Sequence, residues 1–132
     1  MPRISWSVLF VLLLFLASTL SSCNPKQEQM NAFKDTLEIY HRYIKHKEVD
    51  QAVVVVDPDL RIQFFKEVDK MSKSGDIVDF RIRTVVMNED KDEAEVLLIR
   101  QMYDSSLVLR EVEINQKWEK LEGGWMLVND EF

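Results

Sequence analysis

Hydrophobic and polar positions divide this chain into stretches of three different periods. From Ile4 to Leu20 apolar residues run on without a charge, interrupted only by small or hydroxyl side chains such as Ser5, Ser7, Ser18 and Thr19. Farther along, Met30, Phe33, Leu37, Tyr40 and Ile44 recur at steps of three and four, which draws one apolar stripe along a helix predicted over about Gln27 to Lys47. Lys34, Glu38 and Arg42 follow one another at i,i+4 on its wet side.

The segment from Val49 to Val56 fits either period, because the four successive valines from Val53 favour a strand by propensity. Asp57-Pro58-Asp59 is a clearer signal, an N-cap aspartate followed by proline at the first helical position. Leu60, Ile62, Phe64, Phe65, Val68 and Met71 then predict a helix over Pro58 to Met71, stopped by Ser72 to Gly75. Beyond Gly75 the period becomes two: Val78, Phe80, Ile82, Thr84 and Val86 alternate with Asp79, Arg81 and Arg83, as in a strand with one buried face. Further strands are predicted over about Glu93 to Tyr103, Leu107 to Trp118 and Trp125 to Asn129. They are divided by the polar turns Asn88 to Asp92, Asp104-Ser105-Ser106 and Gly123-Gly124. Consecutive strands joined by short turns pair antiparallel, so the chain predicts an α+β domain, N-terminal helices packed on a curved four-stranded antiparallel sheet. Phe33, Leu37, Phe80, Ile82 and Trp125 are its expected core.

Three features together resemble the NTF2-like (cystatin-like, α+β cone) superfamily. They are the amphipathic opening helix, the segment Asp50-Gln51-Ala52 leading to Asp57-Pro58-Asp59-Leu60-Arg61, and the ending Trp118…Gly123-Gly124-Trp125-Met126-Leu127-Val128-Asn129. In that superfamily an N-terminal helix packs into the hollow of a strongly curved sheet, and its enzymes set a carboxylate or histidine beside a tyrosine inside the cone. The resemblance implies interior candidates at Tyr40, His41 and Tyr43, or at Arg100 and Glu111 if these turn inward, and a candidate pocket at Tyr40, Tyr43, Trp118 and Trp125. Packing competes with that reading, since Tyr40 falls on the apolar stripe and aromatics at a hairpin closure commonly anchor a core.

The leading apolar run ends at the only cysteine, in the context Leu20-Ser21-Ser22-Cys23. Arg3, the apolar segment Val8 to Leu16 and the small residues Ala17, Ser18, Ser21 and Ser22 supply the three regions of an export signal. The segment resembles the lipobox of bacterial lipoproteins. That resemblance implies cleavage between Ser22 and Cys23, a diacylated thiol and a chain anchored at the cell membrane or outer membrane, facing the periplasm or exterior. Asn24, where an aspartate would signal retention, points to outer-membrane sorting in a cell with two membranes. An uncleaved membrane anchor is the competing reading, but Ile4 to Leu20 sits at the short end of the roughly 17 to 25 residues that span a bilayer and lacks a basic cluster on its flank. An ordinary signal peptide would need no cysteine there. The expected organisation is a leader over 1–22, a lipidated polar tether over 23–29 and a single domain over 30–132, with no internal disulfide available to it.

The formal net charge of −6 becomes more acidic by one when Arg3 leaves with the leader. An acidic domain at an anionic surface argues against nucleic acid and against polybasic lipid binding. His41 and His46 lie five residues apart and point to different faces of their helix, so both are expected at its surface and no metal site is nominated. Ser105 and Ser106 have no histidine and acid partners, and the acidic turn Glu89-Asp90-Lys91-Asp92-Glu93 lacks the spacing of an EF-hand loop. With no catalytic set and no cofactor motif, the leading expectation is a membrane-tethered, non-catalytic binding or assembly module of a bacterial cell envelope, its partner an envelope protein. The alternative is a small-ligand carrier, or a hydrolase or isomerase, using the cone pocket for a small apolar molecule. Cys23→Ser should abolish acylation, leave the precursor uncleaved and change its detergent partitioning. Normal processing and unchanged partitioning of that variant would contradict the lipobox reading.

Overall fold

The computed structural model of the protein describes residues 24–132. Cys23, the leader and the cleavage position between Ser22 and Cys23 lie outside the described residues. Helix α1 (Pro25–Lys45) starts where Asn24 caps it, the Asn24 Oδ1 accepting from the Lys26 main-chain N–H at 3.2 Å. Pro25 follows in the first turn, where a missing N–H leaves no bond unmade. The expected tether is therefore helical from Pro25 onward, because its asparagine and proline serve as a helix start. Phe33, Leu37, Tyr40, His41 and Ile44 form the buried stripe of α1.

The valine run is not a strand. Val49–Ala52 makes one helical turn, α2, and Val53–Val55 continue as a 3₁₀ turn. The Glu48 carbonyl accepts from the N–H groups of Gln51 and Ala52, and Val56 alone forms a bridge, parallel to Leu127. Burying Ala52 and Val56 in the core outweighs strand propensity here. A second 3₁₀ turn, Pro58–Leu60, is capped as expected by Asp57, whose Oδ1 accepts from Asp59 N–H at 2.9 Å. It runs into α3 (Arg61–Ser74), which buries Phe64 and Val68 and leaves Ile62 and Phe65 exposed.

Gly75 converts α3 into the sheet. Its φ of 154° favours glycine, and a Cβ would collide with the main-chain oxygen of Tyr103 on the neighbouring strand. Strands β1 (Gly75–Met87), β2 (Glu93–Asp104), β3 (Leu109–Leu121) and β4 (Gly124–Leu127) form one antiparallel sheet in sequence order. The expected α+β class, helices against a four-stranded antiparallel sheet, is the observed one.

The inner face of β1 differs from simple alternation. Irregularities between Ile77 and Asp79 and between Ile82 and Thr84 each place an extra residue in β1, bend it and reverse which parity points inward. Ile77, Ile82, Val85 and Met87 pack against the core, while Val78, Thr84 and Val86 are exposed. Of the expected core, Phe33, Leu37 and Trp125 are buried, whereas Phe80 and Ile82 are half-buried on the bent strand. Val86→Ser should accordingly change the denaturant-unfolding free energy by no more than about 0.5 kcal/mol, and Val85→Ala should lower it by about 1 to 2 kcal/mol. The opposite order of losses would mean that the alternation is unbroken.

Candidate functional site

Alternation along the two central strands sends Ala94, Val96, Leu98 and Arg100 of β2, and Ile114, Gln116 and Trp118 of β3, toward the helices. Helix α1 lies against this face from the Trp118 end toward the Arg100 end. Aromatic rings fill the first part: Phe33 packs on Trp118 and Trp125 with centroids 5.9 and 4.5 Å away, and Tyr40 meets Trp118 edge-on at 5.4 Å. Tyr40, Trp118 and Trp125 of the candidate pocket are thus buried packing partners, with Tyr43 half-buried at the margin. Trp118 also backs a cleft of about 510 Å³ at the end of the sheet where Met87 and Ala94 lie.

His41, expected at the surface, is buried. It sits one residue beyond Tyr40 and therefore about 100° farther around the helix, on a flank that the sheet covers with Phe80 at 5.1 Å between rings. Its Nε2 lies 3.0 Å from Gln116 Oε1, which also accepts from Trp118 Nε1 at 3.2 Å, while Gln116 Nε2 donates to the Glu131 carbonyl at 2.7 Å. An indole N–H can only donate, so the shared atom is an acceptor and His41 must carry its proton on Nε2. Burial foremost, then the positive charge of Arg100, pushes the His41 pKa down to about 3 against the opposing effect of the hydrogen bond to Gln116. The ring is neutral throughout the physiological range.

Arg100 is the buried charge of this interior. Its Nη2 donates to the Phe132 main-chain oxygen at 2.8 Å and its Nη1 approaches Met71 Sδ at 3.4 Å. Burial lowers its pKa, with Tyr40 and Glu131 acting in the opposite sense. Burial likewise raises the pKa of Tyr40, which Arg100 partly offsets, and the Tyr40 hydroxyl has no hydrogen-bond partner among the described residues.

The remaining candidates lie elsewhere. Glu111 faces outward and accepts from Gln101 Nε2 at 2.9 Å, and His46 is exposed at the end of α1. Ser105 and Ser106 belong to a turn organised by Asp104, whose Oδ1 accepts from the N–H groups of Ser106 and Val108 and whose Oδ2 accepts from Arg110 Nε at 2.6 Å. In the acidic turn, Asn88 Oδ1 accepts from the N–H groups of Asp92 and Glu93, a local brace. Among the described residues no cluster of three or more His, Cys, Asp or Glu could hold a metal ion, and no helix is long and apolar enough to cross a membrane. Gln116 was not among the expected site residues. Its signal was its place between Ile114 and Trp118 on the buried parity of a strand.

Neither a family model nor a curated protein matches this chain. Solved structures do. A SEC-C motif containing protein from Rhodopseudomonas palustris superposes with a TM-score of 0.62 at 15% identity, over 71% of this chain and 73% of that one. The intermembrane space region of the chloroplast protein ARC6 gives 0.52 at 10% identity, over 75% and 92%. A putative NTF2-like transpeptidase from Campylobacter jejuni gives 0.47 at 13% identity, over 73% and 96%. The first two likenesses show a shared α+β fold and nothing of activity.

The low pKa of His41 has a signed consequence for stability. Between about 3 in the fold and 6.5 in the unfolded chain, the unfolded state binds more protons, so stability is full above 6.5 and is lost as pH falls toward 3. The loss is on the order of 3 kcal/mol by about pH 4. His41→Gln should remove that component, so that the stability gap between parent and variant narrows by a similar amount between about pH 7 and pH 4 in denaturant titrations. A gap independent of pH would mean that His41 titrates normally.

Proposed function

We propose that this chain is a lipid-anchored, non-catalytic binding or assembly module of a bacterial cell envelope, held by Cys23 at the cell membrane or outer membrane with its NTF2-like domain facing the periplasm or exterior. The observation that carries the reading is the set of bonds around Gln116. The interior histidine is neutral and donates to a glutamine that is itself tied to Trp118 and to the tail. A general base or acid works best with a pKa near the operating pH, and His41 is held far below it. The interior polar side chains hold helix, sheet and tail together.

The direction of α1 supports the anchoring geometry. Its 21 residues span about 31 Å, from Pro25 next to the lipobox-like segment to the end where Lys45 and Lys47 pair with Asp79 and Asp76. Asp76 in turn pairs with Tyr103, at the base of the β2–β3 hairpin. The hairpin tip therefore points away from an anchor at Cys23. It carries Leu107, 81% exposed, together with exposed Val108 and Leu109, an apolar group suited to a protein partner.

The test is photo-crosslinking in intact cells through a photoreactive residue at position 107. The expected result is a discrete envelope-protein adduct that survives Tyr43→Phe and Glu111→Gln and disappears with Cys23→Ser. Absence of an adduct in the correctly anchored protein, or an activity of the purified protein lost on Tyr43→Phe or Glu111→Gln, would contradict the reading.

A further inference from the structure

The face of the sheet turned away from the helices carries an ordered arrangement of charge. Ile99 is its centre: Leu98 and Arg100 on either side point inward, and Ile99, 5% exposed, is buried without belonging to the core. On the outer face only neighbouring side chains can cover it, and its direct cross-strand neighbours are Arg81 on β1 and Glu113 on β3. The row therefore reads cation, isoleucine, carboxylate, with about 10 Å between β1 and β3. Arg83 and Glu111 extend it along the strands, so the β1 margin is basic and the β3 margin acidic, and all four charged side chains are exposed. Asp79, next on β1, is engaged by Lys45 at 3.9 Å, and Glu111 accepts from Gln101. Arg81, Arg83 and Glu113 enter no ion pair among the described residues.

Such a face complements a copy of itself in one arrangement. Two outer faces laid together about a two-fold axis along the strands put β1 of each copy over β3 of the other, so that Arg81 meets the second copy's Glu113 while Leu97 and Ile99 meet their own counterparts. An axis across the strands would instead lay β1 over β1 and set Arg81 against Arg81, a like-charge contact. At the roughly 30° crossing of aligned sheets, Glu95, four residues from Ile99, is carried off the axis, and Lys117 stands opposite it on β3. The axis along the strands also brings both α1 starts to the same end, because α1 runs from the Trp118 end of the sheet toward the Arg100 end. Two copies so paired can be anchored in one membrane. We propose that two copies of this chain pair through the outer faces of their sheets, held by reciprocal contacts of Arg81 with Glu113 around Ile99. The pairing goes beyond the binding-module reading: one-membrane geometry rests on Cys23 as the anchor, whereas the charge pattern belongs to the domain alone.

Co-purification of two differently tagged full-length chains, co-expressed and solubilised in mild detergent, tests this directly. The parent forms should co-purify. Arg81→Glu in both copies sets a carboxylate against Glu113, and Glu113→Arg in both sets a guanidinium against Arg81, so each should weaken pairing at least about tenfold. Arg81→Glu in one copy with Glu113→Arg in the other makes both contacts opposite in charge again and should restore co-purification. The double variant in both copies should do the same. An effect of either charge on its own chain's stability would not be repaired by a second chain. Independently, Leu97→Cys sets a thiol beside the axis, and a short bismaleimide should join two copies in intact cells beyond any product of the parent. Parent chains that do not co-purify, single variants that pair as the parent does, a mixed pair of folded variants that does not recover, or no added crosslink at position 97 would overturn the proposal. Loss of pairing with the position-107 adduct intact removes self-association alone; loss of the adduct with rescue by charge exchange intact removes the assembly reading alone.

Discussion

The side-chain amide of Gln116 is where the helix, the sheet and the tail of this protein meet. Its oxygen accepts from His41 on α1 and from Trp118 two residues along its own strand, and its nitrogen donates to the main chain of Glu131. Buried polar groups are costly when half satisfied, so such a network tolerates one arrangement of its parts and no sliding of one against another. Apolar packing between Phe33, Tyr40, Trp118 and Trp125 supplies much of the interior contact, but rings can pack in several registers. The amide bonds select one.

Arg100 sets the electrical character of the same interior. Its charge adds to burial in keeping His41 neutral, whereas at Tyr40 it opposes the effect of burial. The domain thereby separates two regions along α1. Around Trp118 the interior is packed with aromatic rings, with the Tyr40 hydroxyl left unpartnered and a cleft of about 510 Å³ behind the indole. Around Arg100 it opens into a cleft walled by methionines and closed on one side by the tail, whose Phe132 ring packs edge-on against Phe64 at 5.3 Å.

Much of this was legible in the residues themselves. The stripe from Phe33 to Ile44, the cap at Asp57, the stop at Gly75 and the change to period two all report local chemistry, and each has its counterpart in the structure. What could not be read depends on neighbours distant in sequence. The bulges of β1 move Val78 and Val86 outward because of how β1 pairs with β2, and nothing in Ile77 to Met87 marks them. The valines from Val53 to Val55 turn helically because burial of Ala52 and Val56 outweighs strand propensity. His41 lies off the apolar stripe and becomes interior only because the sheet wraps that flank. Gln116 is polar and uncharged, and its importance appears only once its three partners are brought together.

The central claim, that the interior histidine is a structural donor locked into the Gln116 network, is tested most directly by the imidazole nitrogen-15 shifts of His41 in the intact protein. The account predicts a neutral ring protonated at Nε2 and unchanged from about pH 8 to about pH 5. Titration of His41 near its ordinary value, or a proton on Nδ1, would contradict it.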